Sequence, residues 1–161
     1  MSPYFEFPAS WKRPAAAVFV LSTAAALFWL IAGAPDGGLI WLRGSAPALV
    51  YGEPFGPAYQ GPAWVANNYT DELVLSVITL SGVLTGFAKE PVEDELIRQI
   101  RWKALANATV LSTLFLLLAT WTVYGLAFVY VLYVQTVALL VVFNAQLAWS
   151  LRRFYSAQHE E

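Results

Sequence analysis

A chain of 161 residues is one domain by length, but 58% of it is hydrophobic and only 12% charged, against about 25% charged in soluble domains. Nine Lys and Arg against eleven Asp and Glu leave a net charge of -2, which provides no basic surface for neutralising nucleic-acid phosphates. The chain has no cysteine and its single histidine is His159, so disulfides, thiolate nucleophiles, iron–sulfur clusters and Cys-ligated zinc are excluded.

The first predicted element is an apolar run over about 15–34, preceded by Lys12 and Arg13. Its basic start imitates a secretion signal, but it exceeds the roughly 7 to 15 apolar residues of such signals and reads as a retained membrane span. Residues 35–70 differ in kind, with five prolines, six glycines and six aromatic residues. So many helix breakers exclude a long helix and predict an irregular outer loop on the headgroup zone, which Trp and Tyr favour. Within it, 39–42 and 48–51 are candidates for a short hairpin across the RGSAP stretch.

A second span is predicted over about 71–89, with Thr70 as its capping side chain and Asp71 and Glu72 in its first turn. Pro91 disfavours helical geometry at Glu90 and so ends it. From Ala104 to Leu151 there are 48 residues without a charge, roughly 72 Å as one helix and more than twice the hydrocarbon thickness. That run must fold back, and Gly125 is its predicted turn, giving spans of about 104–123 and 126–150. The expected architecture is therefore an all-α, integral membrane four-helix bundle forming a single membrane domain over 1–161.

Eight of the twenty charged residues lie in KEPVEDELIRQIRWK, residues 89–103. With even-numbered crossings, Lys12, Arg13, Lys89, Arg98, Arg101, Lys103, Arg152 and Arg153 all fall on one side and only Arg43 on the other. The positive-inside rule makes that side the cytoplasm, with both termini inside. Within the cluster, acids precede bases as the helix dipole favours, Pro91 suits a first helical position, and Val92, Leu96 and Ile100 share a face. A solvated anchoring turn is the simpler reading; the alternative is a cytoplasmic docking surface of Glu93, Asp94, Glu95, Arg98 and Arg101.

The stretch from Asn67 to Leu105 resembles a family of small, functionally uncharacterised four-span bacterial inner-membrane proteins. Asn67, Asn68, Thr70, Asp71 and Glu72 match its Asn-Asn-x-Thr-Asp-Glu entry. Phe87, Lys89, Glu90, Glu93, Asp94, Glu95, Ile100 and Arg101 match the close of the span and the charged segment after it. Ala88 and Pro91 stand where the family pattern has Ser and Lys. The resemblance covers roughly 67–150; it implies four spans in a bacterial inner membrane and no particular activity.

Apart from Asp71, Glu72 and Lys89 at the ends of the second span, no Asp, Glu, Lys, Arg or His lies in the spans, where proton relays, ion paths and haem ligands would need them. Asp71 and Glu72 with Asn67 and Asn68 form the candidate polar site. Capping explains these four more simply than cation binding does, since adjacent helical carboxylates diverge by about 100°. Gly82 and Gly86 form a G-x-x-x-G stripe, continued by Ile78, that predicts close packing against another helix, within the chain or in a homo-oligomer. Asn107, Ser112, Gln135, Asn144 and Gln146 are polar spots that bond helices or, on a rival reading, line a wet path.

These features favour a non-enzymatic protein acting by contact with other membrane subunits, with no cofactor, metal or catalytic residue assigned and the lipid bilayer as its surroundings. The rivals are a small transporter or channel and, third, a membrane-embedded enzyme acting on lipid or quinone.

Overall fold

The computed structural model describes residues 7–32, 42–48, 62–90, 94–125 and 127–158. In order these form a 3-10 turn, Ala9–Trp11; helix α1, Lys12–Ala32; strands β1, Arg43–Ala48, and β2, Ala63–Asn68; then α2, Thr70–Phe87, α3, Glu95–Thr122, and α4, Ala127–Gln158. Among the described residues, four helical segments are long and apolar enough to cross a membrane: Ala9–Ala32, Thr70–Phe87, Glu95–Thr122 and Ala127–Ser156. Contacts divide the chain into two compact units, one of residues 1–25 with 75–161 and one of residues 26–74.

The first unit is organised around α3 and α4. Gly125 sits at φ 71°, a left-handed conformation that glycine adopts without a Cβ penalty, and it reverses the chain with almost no loop. The Val123 N–H closes α3 on the Ala119 carbonyl at 2.8 Å, and the Phe128 N–H reaches the Gly125 carbonyl at 3.1 Å. The two helices then run antiparallel and bury Ile97, Ala104, Ala108, Phe143, Leu147 and Leu151 in one cluster. Ala104 and Ala108 share that cluster with Phe143, whose ring also lies against Gly86 and Phe87 of α2. Elsewhere, large apolar side chains such as Leu21, Leu118 and Val20 are exposed, an arrangement that suits lipid and would be unfavourable in water.

Four expectations need correction here. The chain is mostly helical but not all-α: β1 and β2 pair antiparallel from Arg43↔Asn68 to Ala48↔Ala63. RGSAP is therefore part of a strand and not a turn between two strands, and its partner lies beyond the breaker-rich segment. Pro47 is tolerated because this two-stranded sheet leaves β1 at an edge. Residues 39–41 and 49–51 of the expected hairpin, like residues 33–34, lie outside the described residues.

The capping of α2 also differs. Asn68 Oδ1 accepts the Thr70 N–H at 3.2 Å and the Thr70 hydroxyl at 2.6 Å, so the capping group belongs to Asn68 and Thr70 is already helical. Finally, α3 begins at Glu95, nine residues before the expected 104, and continues the charged cluster directly into the apolar run. Asp94 is its N-cap and accepts the Glu95 N–H at 2.6 Å. Its inward face carries Ile97, Arg101, Ala104 and Ala108, while Leu96 is exposed; Pro91, Val92 and Glu93 lie outside the described residues.

Candidate functional site

In the second unit, β1 and β2 set Arg43, Gly44, Ser45, Ala66, Asn67 and Asn68 around an open basin of about 650 Å³. The antiparallel register makes this possible, since Gly44 faces Asn67 and Arg43 faces Asn68. Asn67 Nδ2 donates to Glu72 Oε1 at 2.7 Å, and the Tyr69 hydroxyl donates to the Ser45 carbonyl at 2.7 Å. The Tyr69 N–H binds the Leu42 carbonyl at 3.1 Å. Gly44 lets the Tyr69 ring lie against the strand, because a Cβ there would sit 3.2 Å from Tyr69 Cε2.

Of the four polar residues singled out from sequence, Asn67 and Glu72 are thus brought together, and the oxygen of Asn68 is spent on the α2 start. Asp71 is exposed in the first turn. Among the described residues no three His, Asp or Glu side chains gather where they could hold a metal ion. Arg43 and Ser45 join the site only through strand pairing across residues 49–62, and no local pattern announces that pairing.

In the first unit, Gly82 and Gly86 pack within the chain. A Cβ on Gly82 would lie 2.8 Å from Phe19 Cε2 and 3.2 Å from Leu140 Cδ1; one on Gly86 would overlap the Phe143 ring, 2.9 Å from Cδ1. The stripe therefore receives bulky knobs from α1 and α4 and not a matching smooth face. Asn144, 9% exposed, secures the same contact by donating to the Gly82 carbonyl at 3.0 Å and to the Leu140 carbonyl at 2.9 Å. Nearer the start of α4, Gln135 Nε2 donates to Ser112 Oγ at 2.6 Å and ties α4 to α3. Asn107 is exposed and Gln146 half-buried.

The charged end of this unit holds an arrangement that no sequence pattern flagged. Phe7 bridges α2 at its exit: its N–H binds the Phe87 carbonyl at 3.2 Å and its carbonyl accepts the Lys89 N–H at 2.9 Å. Lys12 then pairs with Glu90, whose side chain is 7% exposed. Arg101, 8% exposed, donates through Nη2 to the Ala88 carbonyl at 3.1 Å. The start of α1, the end of α2 and the start of α3 are thereby clasped together by backbone, ion pair and guanidinium.

Of the five residues proposed for docking, Glu95 and Arg98 are exposed, Asp94 caps α3 and Arg101 is turned inward. Glu93 lies outside the described residues. Buried charges need partners, because desolvation penalises each ion by several kcal/mol, and the clasp supplies them for Glu90 and Arg101. Comparison with protein-family models, with curated proteins and with solved structures finds no match to this chain.

Proposed function

We propose that this is a non-enzymatic integral membrane protein that acts by contact, as an accessory subunit of a larger membrane complex or a small regulatory membrane protein. It resides in a bacterial inner membrane with both termini cytoplasmic, in keeping with the resemblance to the four-span family. The observation that carries the reading is how the polar groups at helix depth are used. Gln135 is turned to Ser112 and Asn144 to Gly82, so three of the five side chains that a transporter could set along a wet path are engaged in joining helices. Such bonds contribute about 0.6 kcal/mol each on average, and they suit a scaffold.

Convergence of the cationic residues supports the proposed topology. Lys12, Lys89 and Arg101 meet at the clasp. Leu151, beside Arg152 and Arg153, shares a cluster with Ile97, beside Arg98. All four helices therefore bring their cations to one end of the unit, as the positive-inside rule requires.

Purification from native membranes in mild detergent, with mass spectrometry of the recovered chains, tests the proposal. A second chain should be recovered in fixed stoichiometry; a lone monomer refutes the subunit reading. Reporters fused at residues 60 and 161 should report opposite sides, and the same side for both refutes the four-span topology. Replacing Glu93, Asp94 and Glu95 together by Gln should leave insertion intact, and loss of the partner in that variant would make the acidic rim its docking site.

A further inference from the structure

The most exposed Trp and Tyr residues of helices α3 and α4 fall at two levels. On α3 these are Trp102, 61% exposed, and Trp121, 79% exposed; on α4 they are Tyr130, 68% exposed, and Trp149, 69% exposed. Each pair is nineteen residues apart, a rise of roughly 28 Å, which matches a hydrocarbon core of about 30 Å. Rings at these positions mark two interfaces, because an apolar ring with a polar N–H or O–H is best placed between tail and headgroup.

The two levels differ in what lies next to the rings. Arg98 precedes Trp102 by four residues, and Arg152 and Arg153 lie three and four residues after Trp149, so each tryptophan has an arginine on its own helix face one turn farther out. All three arginines are exposed. Because α3 and α4 are antiparallel and share the Ile97–Leu151 cluster, the two Trp–Arg sets project from the same end of the hairpin. Around Trp121 and Tyr130 there is no charged residue at all between Ala104 and Leu151.

From this juxtaposition we infer that the charged end of the hairpin binds anionic phospholipid headgroups. Trp102 and Trp149 seat at the tail boundary, and Arg98, Arg152 and Arg153 bind the phosphates. The chemistry is that of a planar guanidinium donating two N–H groups to phosphate oxygens, with the ring alongside excluding water from the acyl chain. An ordinary cationic loop would give diffuse attraction. Here the cations stand on two helices fixed by their own packed core, at the depth of the headgroups. The inference rests on the membrane reading above and adds to it a class of lipid and a place on the protein.

The test reconstitutes the full chain in vesicles that mix phosphatidylcholine and phosphatidylglycerol, with bromine on the acyl chains of one lipid or of the other, and reads tryptophan quenching. Attraction of about 1 kcal/mol per interfacial arginine corresponds to roughly fivefold local enrichment. Brominated phosphatidylglycerol should accordingly quench well beyond its mole fraction. Changing Arg98, Arg152 and Arg153 to Gln should remove that excess, and changing them to Lys should retain only the part that charge alone supplies, because an ammonium lacks the two-pronged donor, with circular dichroism unchanged.

Equal quenching by the two brominated lipids overturns the inference, as does an excess that survives the Gln variant. Should the Gln variant misfold, the unmodified protein decides: in about 1 M salt, where the screening length is about 3 Å, the excess should collapse, and its persistence overturns the inference. Quenching by neither lipid would instead refute the membrane reading on which it stands.

Discussion

Two polar regions of this chain bond in opposite ways. Around Asn67, Asn68, Thr70 and Glu72 the partners are two to five residues apart and the Asn67–Glu72 bond is exposed. At the clasp, Lys12 and Glu90 are 78 residues apart and the carboxylate is nearly enclosed. Local, hydrated bonds shape a turn and are cheap to lose, since water replaces either partner. Enclosed bonds between distant segments determine which helix ends meet, and losing one partner leaves the other with less water to replace it.

That contrast orders the expected effects of substitution. Glu90→Ala should be the most damaging, costing about 3 kcal/mol, at the low end for an enclosed pair because Lys12 is 26% exposed and water meets part of the loss. Thermal unfolding in detergent measures this, and the double change Lys12→Met with Glu90→Met should recover much of the loss because no charge is then left unpaired. If Glu90→Ala unfolds like the unaltered protein, the clasp is no stronger than the sheet-side bonds and the contrast fails.

Gly86→Ile comes next. Its side chain must enter the volume of the Phe143 ring, an overpacking that costs about 1–3 kcal/mol. Gly82→Ile should cost less, because the nearest obstacle is the edge of the Phe19 ring. Equal stability of both variants with the unaltered protein would remove α2 from the packed core.

Asp94→Ala removes the cap of α3 and should cost about 1 kcal/mol, seen as faster hydrogen exchange in the first turn. The smallest effect belongs to Asn67→Ala, which breaks an exposed bond and should shift stability by at most about 0.5 kcal/mol. A loss there as large as that of Glu90→Ala would show that the sheet-side network, and not the clasp, holds the chain together.

Local signals carried several features of this protein by themselves. Four apolar helices were legible because length and hydropathy are properties of consecutive residues. Gly125 was legible as the reversal point because a long uncharged run must turn, and a glycine is the residue that turns at φ 71° without strain. Gly82 and Gly86 were legible as a groove because small residues at helical spacing leave room for a neighbour. The identity of that neighbour was not, since any large apolar side chain brought to the right height would fit.

Tertiary structure alone decided that Phe19, Leu140 and Phe143 fill the groove, that Arg101 turns inward to the Ala88 carbonyl, and that RGSAP pairs with Ala63–Asn68 as a strand. Helical periodicity grouped Val92, Leu96 and Ile100 on one apolar face of the charged segment, without showing what packs there. The buried face instead carries Ile97, Ala104 and Ala108, which share a cluster with Phe143, Leu147 and Leu151 of α4, with Ile100 packed at its margin. The physical reason is common to all of these: a residue's own propensity shows in its neighbours along the chain, whereas its burial and its partner depend on segments 13 to 78 residues away that only the folded chain brings beside it.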